Sequence, residues 1–380
     1  MKIGIVCYPT FGGSGVVATE LGKALAHKGH QVHFITYNQP VRLDLTNPNL
    51  YYHEVSVSNY PLFDYPPYEL VLTSKLVDVV KYENLDLLHV HYAIPHASAA
   101  YMAKKILSSQ GISIPFITTL HGTDITLVGK DSSFEPVITF AINKSDAVTA
   151  VSEDLKKETQ THFGVTRKIE VIPNFICPAR HTLENRKLVQ ERYAPNGERI
   201  IMHVSNFRKV KRVQDVMYTF KKILDKTPAR LLLIGDGPER HNMETLCREL
   251  GTCKEVKFLG KLKNTEAILS GADLFMLPSL SESFGLAALE AMASMVPVIS
   301  TNTGGLPEVN VHGETGFLSN VGDIDDMAKN ALTILESDET LERFRENARK
   351  RAEQFSISHV LPHYENLYEE VLNKTYSMEA

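Results

Sequence analysis

Residues 273–301 read DLFMLPSLSESFGLAALEAMASMVPVIST. An apolar run with strand character (273–278) passes through a Ser-rich turn into a helical pattern, and VPVIST (296–301) reads as the next strand. Strand, helix, strand at this spacing is a βαβ crossover with its two strands parallel. The unit also carries two carboxylates: Glu282 before the helix, and Glu290 within it among largely apolar neighbours. Free N–H groups and a partial positive charge at a helix start make Ser283, Phe284 and Gly285 a site for an oxygen-rich ligand. A charge on a helix fit for burial needs a partner, because desolvation alone opposes it by several kcal/mol. Sugar or ribose hydroxyls would serve Glu290; an Arg or Lys of the chain is the equal alternative.

The same alternation extends in both directions. Upstream, ERIIMHVSNF, ARLLLIGDG and EVKFLG read as strands separated by helical patterns at 213–226 and 241–250. Downstream, DIDDMAKNALTILES is helical. The first half repeats the scheme: KIGIVCY, QVHFITY, LDLLHVHY, IPFITTLHG and AVTAVS are strands, with helical patterns between them. KIEVIPNF leads into a Pro-punctuated linker. The expectation is an α/β protein of two doubly wound Rossmann-like domains, 1–170 and 171–355. Residues 356–380 belong to a charged helical tail that Pro362 interrupts and that packs back on the first domain.

Composition narrows the class. The chain has 380 residues, 43% hydrophobic and 22% charged, with net charge −5, which disfavours general nucleic-acid binding. No apolar run is long enough for a membrane span, and MKIGIVCY enters a strand directly without a signal-peptide cleavage site. The four cysteines show no CxxC spacing, so neither a zinc site nor a disulfide is expected. A cytoplasmic protein is the expectation, with homo-oligomerisation left open.

Candidate site residues gather where strands end. The turn after the first strand, GGSGVVA (12–18), lets a backbone approach a diphosphate or sugar at a helix start, with Gly13 in the turn and the Ser14 hydroxyl at its mouth. Its likeness to a dinucleotide fingerprint lacks the acid that should end the second strand, which here ends Thr36, Tyr37, Asn38. This disfavours a nicotinamide oxidoreductase. LHVHYAIPH places His89, His91, Tyr92 and His96 at a strand end, with no carboxylate to complete a metal site. TTLHGTD projects His121 toward ligand, with Thr119, Thr123 and Asp124 able to orient it. In the second half HVSNFRKVKR carries Arg208, Lys209, Lys211 and Arg212, a cation cluster suited to a diphosphate, although a solvated basic turn would claim some of them.

Together these features resemble glycosyltransferase family 4, retaining enzymes that use nucleotide sugars. The specific elements are Glu282 and Glu290 around SFG, the GDGPE turn (235–239) and GGLPEV (304–309). The resemblance implies the GT-B fold, two Rossmann-like domains facing across a cleft, and no metal or other cofactor. By motif position Glu290 would bond the ribose. Glu282, with the N–H groups of Ser283, Phe284 and Gly285, would hold the donor sugar. His121 would bond the sugar's 6-hydroxyl, Gly13 would approach the diphosphate, and Lys211 would bind phosphate. The family's Arg five residues before that Lys is Asn206 here, and Arg208 is the cation placed to share its charge. Within the family, GGSG, HYAIPHA, TTLHGTDIT and HVSNFRKVKRVQDV resemble the branch that opens bacillithiol synthesis. This implies UDP-N-acetylglucosamine as donor and L-malate as acceptor, with Ser14, Tyr92 and Thr119 on the acceptor side. A lipid or glycan acceptor, served by FDYPPYEL (63–70), and a non-catalytic UDP-sugar sensor are the alternatives.

Overall fold

The computed structural model describes the 380-residue chain apart from residues 11, 58–64, 66, 128, 130 and 380, and the side chains of 127, 376, 378 and 379. Part of FDYPPYEL therefore lies outside the described residues. The chain forms two compact units, one of residues 1–174 with 357–380, the other of residues 175–356.

The first unit is built on β1 (Lys2–Val6), β2 (Gln31–Thr36), β3 (Leu50–Glu54), β4 (Leu87–His91), β5 (Phe116–Leu120), β6 (Ala147–Ala150) and β7 (Ile169–Val171). Every pairing is parallel, in the order β3-β2-β1-β4-β5-β6-β7. β4 and β5 are buried throughout, as central strands covered on both faces must be. The second unit holds β8 (Arg199–Val204), β9 (Ala229–Ile234), β10 (Val256–Gly260), β11 (Leu274–Leu277), β12 (Val298–Thr301) and β13 (Gly316–Ser319), in the parallel order β10-β9-β8-β11-β12-β13.

Both orders reverse once, between β1 and β4 and between β8 and β11. Connections leave the sheet in opposite directions there, opening a crevice at the strands' carboxyl ends. The loops flanking the two crevices follow β1 and β4 in one unit and β8 and β11 in the other, so the topology alone gathers four of the candidate segments in pairs.

The structure departs from expectation in four places. β3 and β13 were not anticipated: each is a short edge strand, and LYYHE and GFLS lack the apolar runs of the central strands. The helix Arg186–Tyr193 was also missed. Pro362 does not interrupt the tail. Helices Asp338–Glu353 and Ile357–Glu379 part at residues 354–356, and Pro362 sits within the second. There it removes one backbone hydrogen bond from a helix anchored by Tyr364 and Tyr368, both almost fully buried in the first unit. Finally, Cys247 and Cys253 lie side by side, with Cα atoms 5.2 Å apart. The turn that ends helix Arg240–Glu249 brings them into bonding range without any CxxC spacing. No helix among the described residues is long and apolar enough to cross a membrane.

Candidate active site

In the second unit the loop after β8 is shaped by the GDGPE turn. Gly235 has φ +121°, and a Cβ there would lie 1.8 Å from the Ser205 carbonyl oxygen. Gly237 similarly meets the Phe207 backbone, and Phe207 N–H donates to the Asp236 carbonyl at 3.0 Å. Only glycine permits this approach, so the motif serves as a backbone cradle for the cation loop. Beneath it, buried His203 joins β8 to β11 through its Nδ1 contact with the Met276 carbonyl (2.8 Å), while Nε2 meets Ser205 Oγ at 2.7 Å. Burial lowers its pKa to about 4.

Lys211 forms an ion pair with Glu282, whose Oε1 also accepts from Ser279 Oγ at 3.2 Å. Leu280 N–H donates to the Val210 carbonyl at 2.8 Å, tying together the two loops that flank the crevice. The cations divide by environment. Arg212 is paired with Asp215 at 2.6 Å, whereas Asn206, Arg208 and Lys209 are exposed. The Gly304–Gly305 turn braces Glu282 from the other side. Gly305 N–H donates to the Glu282 carbonyl at 2.9 Å, and a Cβ on Gly304 (φ +59°) would lie 1.9 Å from that oxygen. Ser283 is half-buried. Phe284 is buried edge-on against Phe355, with ring centres 5.7 Å apart. Gly285 turns the chain at φ +93° into the helix Leu286–Ala293, on which Glu290 is half-buried.

In the first unit the loops after β1 and β4 meet directly: Tyr92 hydroxyl donates to Ser14 Oγ at 2.8 Å. Gly13 opens the helix Gly13–His27 beside them. Tyr92 takes φ +85°, a left-handed conformation rare for an aromatic residue and a recurrent mark of functional sites. Burial raises its phenol pKa, so it stays a neutral donor. Asp124 holds the neighbouring loops, accepting from Ala93 N–H at 2.8 Å and Gly122 N–H at 3.2 Å. Burial raises its pKa to about 6. Thr119, expected beside Ser14 and Tyr92, lies in the core, its hydroxyl within 2.7 Å of both His89 Nε2 and Thr149 Oγ1.

The histidines of this unit form a packed polar spine. His121 is half-buried, and its Nε2 lies 2.8 Å from His91 Nδ1; His89 stacks on His91 and meets Tyr368 hydroxyl at 2.7 Å. Burial lowers His121 and His89 to about 3 and His96 to about 4, so all are neutral at pH 7. The contact with His91 engages Nε2 of His121. His91 and His203, which orient their neighbours, were given no role at the sequence level; their buried register opposite adjacent strands is the signal that marks them.

The family model of Glycosyltransferase Family 4 matches residues 11–180, and that of Glycosyl transferases group 1 matches residues 185–351. The N-acetyl-alpha-D-glucosaminyl L-malate synthase of Bacillus anthracis is 48% identical over 374 residues, covering 98% of this chain and 97% of that protein. The chain is a family 4 glycosyltransferase. Among solved structures, sucrose-phosphate synthase of Thermosynechococcus elongatus superimposes on this glycosyltransferase with TM-score 0.81, at 21% identity, covering 98% of this chain and 100% of that one. Anabaena Alr3699/HepE in complex with UDP and glucose gives 0.82, at 19% identity, covering 97% of this chain and 100% of that one. At these identities the two structures speak for the fold.

Proposed function

We propose that this glycosyltransferase moves N-acetylglucosamine from UDP-N-acetylglucosamine to the hydroxyl of L-malate, with retention at the anomeric carbon, in the cytoplasm. The second unit is the nucleotide-sugar side and the first the acceptor side. The observation that carries the reading is the contact of Lys211 with Glu282. It puts a phosphate-binding cation beside a carboxylate suited to sugar hydroxyls, as those groups adjoin in a sugar diphosphate. The full-length identity to the malate synthase supports the choice of donor and acceptor.

On this reading Glu290 accepts from the ribose hydroxyls, and Glu282 with the backbone at Ser283, Phe284 and Gly285 holds the sugar. Lys211 and Arg208 face the diphosphate, with Asn206 offering an uncharged donor in the same loop. Gly13, at the start of its helix, is assigned to the diphosphate by motif position. His121, neutral and held by His91, bonds the 6-hydroxyl. Ser14 and Tyr92 meet the acceptor, and Thr119 supports them from the core. The C1–O bond to the diphosphate breaks as the malate oxygen attacks C1 from the same face, and the departing phosphate takes the malate hydroxyl proton. Charge grows on UDP during this step, so Lys211 and Arg208 stabilise the transition state more than the ground state. No metal enters the scheme.

The test is UDP release from UDP-N-acetylglucosamine with and without L-malate, with mass spectrometry of the product. Malate-dependent release and a product of the glycoside's mass are expected. Release to other acceptors alone would overturn malate, and UDP binding without turnover would overturn catalysis in favour of a sensor.

A further inference from the structure

We propose that His33, His53 and Glu83 form a binding site for a divalent cation of the zinc class at the β3 edge of the first sheet. In the parallel pairing of β2 with β3, His33 lies opposite Tyr51 and Ile35 opposite His53. The two histidines therefore share one face. His33 Nδ1 is 2.9 Å from His53 Nε2, and one nitrogen of each ring lies within 4.8 Å of a Glu83 carboxylate oxygen. Tyr51 stacks on His33 at 4.4 Å and fixes its plane. His33 is 1% exposed, and its Nε2 has no hydrogen-bond partner among the described residues.

The surroundings favour a cation in two ways. Glu83 ends the helix Tyr68–Glu83, where carbonyl dipoles concentrate negative potential. That end already holds one cation, Lys2, whose Nζ donates to the Glu83 carbonyl at 2.9 Å. Burial lowers the pKa of both imidazoles, His33 to about 4, so each offers a lone pair at neutral pH. Lys2 and Lys75 oppose the bound charge and moderate the affinity. Two imidazoles and a carboxylate with an open fourth position suit Zn²⁺, Co²⁺ or Ni²⁺. Tetrahedral ligation by these two nitrogens requires about 3.3 Å between them, a small opening of the present contact. The ion would clip an edge strand to its neighbour and to the helix. His33 and His53 lie within strands on the far side of β1 from β4 and β5, so the proposal stands apart from the glycosyl-transfer site.

The test strips the full chain with a chelator and titrates Co²⁺, then Zn²⁺, reading the visible band of four-coordinate cobalt and the thermal midpoint. One equivalent per chain, a band that Zn²⁺ displaces and a raised midpoint are expected. His53→Gln should weaken binding at least about tenfold. Absence of a one-equivalent band, or affinity unchanged in His53→Gln, overturns the site. If circular dichroism shows that variant unfolded, Glu83→Gln decides by the same criterion.

Discussion

Acidification should unfold the first unit before the second. His33, His89, His96 and His121 of the first unit have pKa values lowered to about 4, 3, 4 and 3, chiefly by burial, and burial lowers that of His91 as well. In the second unit buried His203 is lowered to about 4. A histidine whose folded pKa is depressed leaves the unfolded chain binding the extra proton as pH falls below about 6.5. Stability is therefore full above that value and declines as pH falls toward the folded pKa. Between pH 7 and about pH 5 each histidine removes about 2 kcal/mol. These four histidines remove about 8 kcal/mol from the first unit, and His203 removes about 2 kcal/mol from the second. Asp124, raised to about 6, works in the opposite sense, since its penalty is relieved on protonation, and returns about 1 kcal/mol. The net loss is comparable with the whole stability of an ordinary domain, about 5–15 kcal/mol.

Hydrogen exchange read peptide by peptide resolves the two units, and the chain has no tryptophan to offer as a simpler probe. After correction for intrinsic exchange rates, peptides from β4, β5 and the helix Ile357–Glu379 should lose protection near pH 5 while β8, β9 and β11 keep theirs. Simultaneous loss, or loss in the second unit first, would refute the assignment of acid lability to the histidine spine.

Three further perturbations probe the parts separately. Lys211→Ala should lower kcat by about 10²–10³-fold with the circular dichroism spectrum unchanged; undiminished turnover in the folded variant removes Lys211 from the reaction. Gly304→Ala forces a methyl group to within 1.9 Å of the Glu282 carbonyl at φ +59°, so it should lower the thermal midpoint and weaken UDP-N-acetylglucosamine binding together. A calorimetric titration matching the parent would show that the turn does not brace Glu282. Tyr368→Phe removes the hydroxyl that meets buried His89, at 2.7 Å, and should destabilise by about 1–3 kcal/mol in urea unfolding; a change within error would mean that the helix is held by its apolar face alone.

The fold was legible because central parallel strands are buried on both faces and read as apolar runs separated by helical periods. DLFMLP, LLLIG and HFIT are such runs. The signal fades at the sheet edges, where one side of a strand meets solvent. LYYHE and GFLS are short, mixed in polarity or broken by glycine, and both escaped notice. The approach of Cys247 to Cys253 escaped for a related reason: the two meet through a turn at a helix end, and their spacing has no periodic signature.

The site was legible as segments and illegible as contacts. Small residues, carboxylates and cations at strand ends announce a ligand whatever the strand order. Which of them touch depends on that order. Lys211 and Glu282 are 71 residues apart, and Ser14 and Tyr92 are 78 apart, yet each pair meets because β8 adjoins β11 and β1 adjoins β4. Nothing in the local chemistry of either segment specifies its neighbour. The histidines show the same limit from the other side. His89, His91 and His96 invite a metal reading by their spacing alone. Once β4 and β5 pair, with His89 opposite Ile117 and His91 opposite Thr119, His89 meets Tyr368 and His91 meets His121, each inside the core. His33 passed as an ordinary strand residue and His53 lay in no expected element, until β3 took its place at the edge and set them on one face. Residue type thus defines which chemistries are possible, and sheet order decides which of them are assembled.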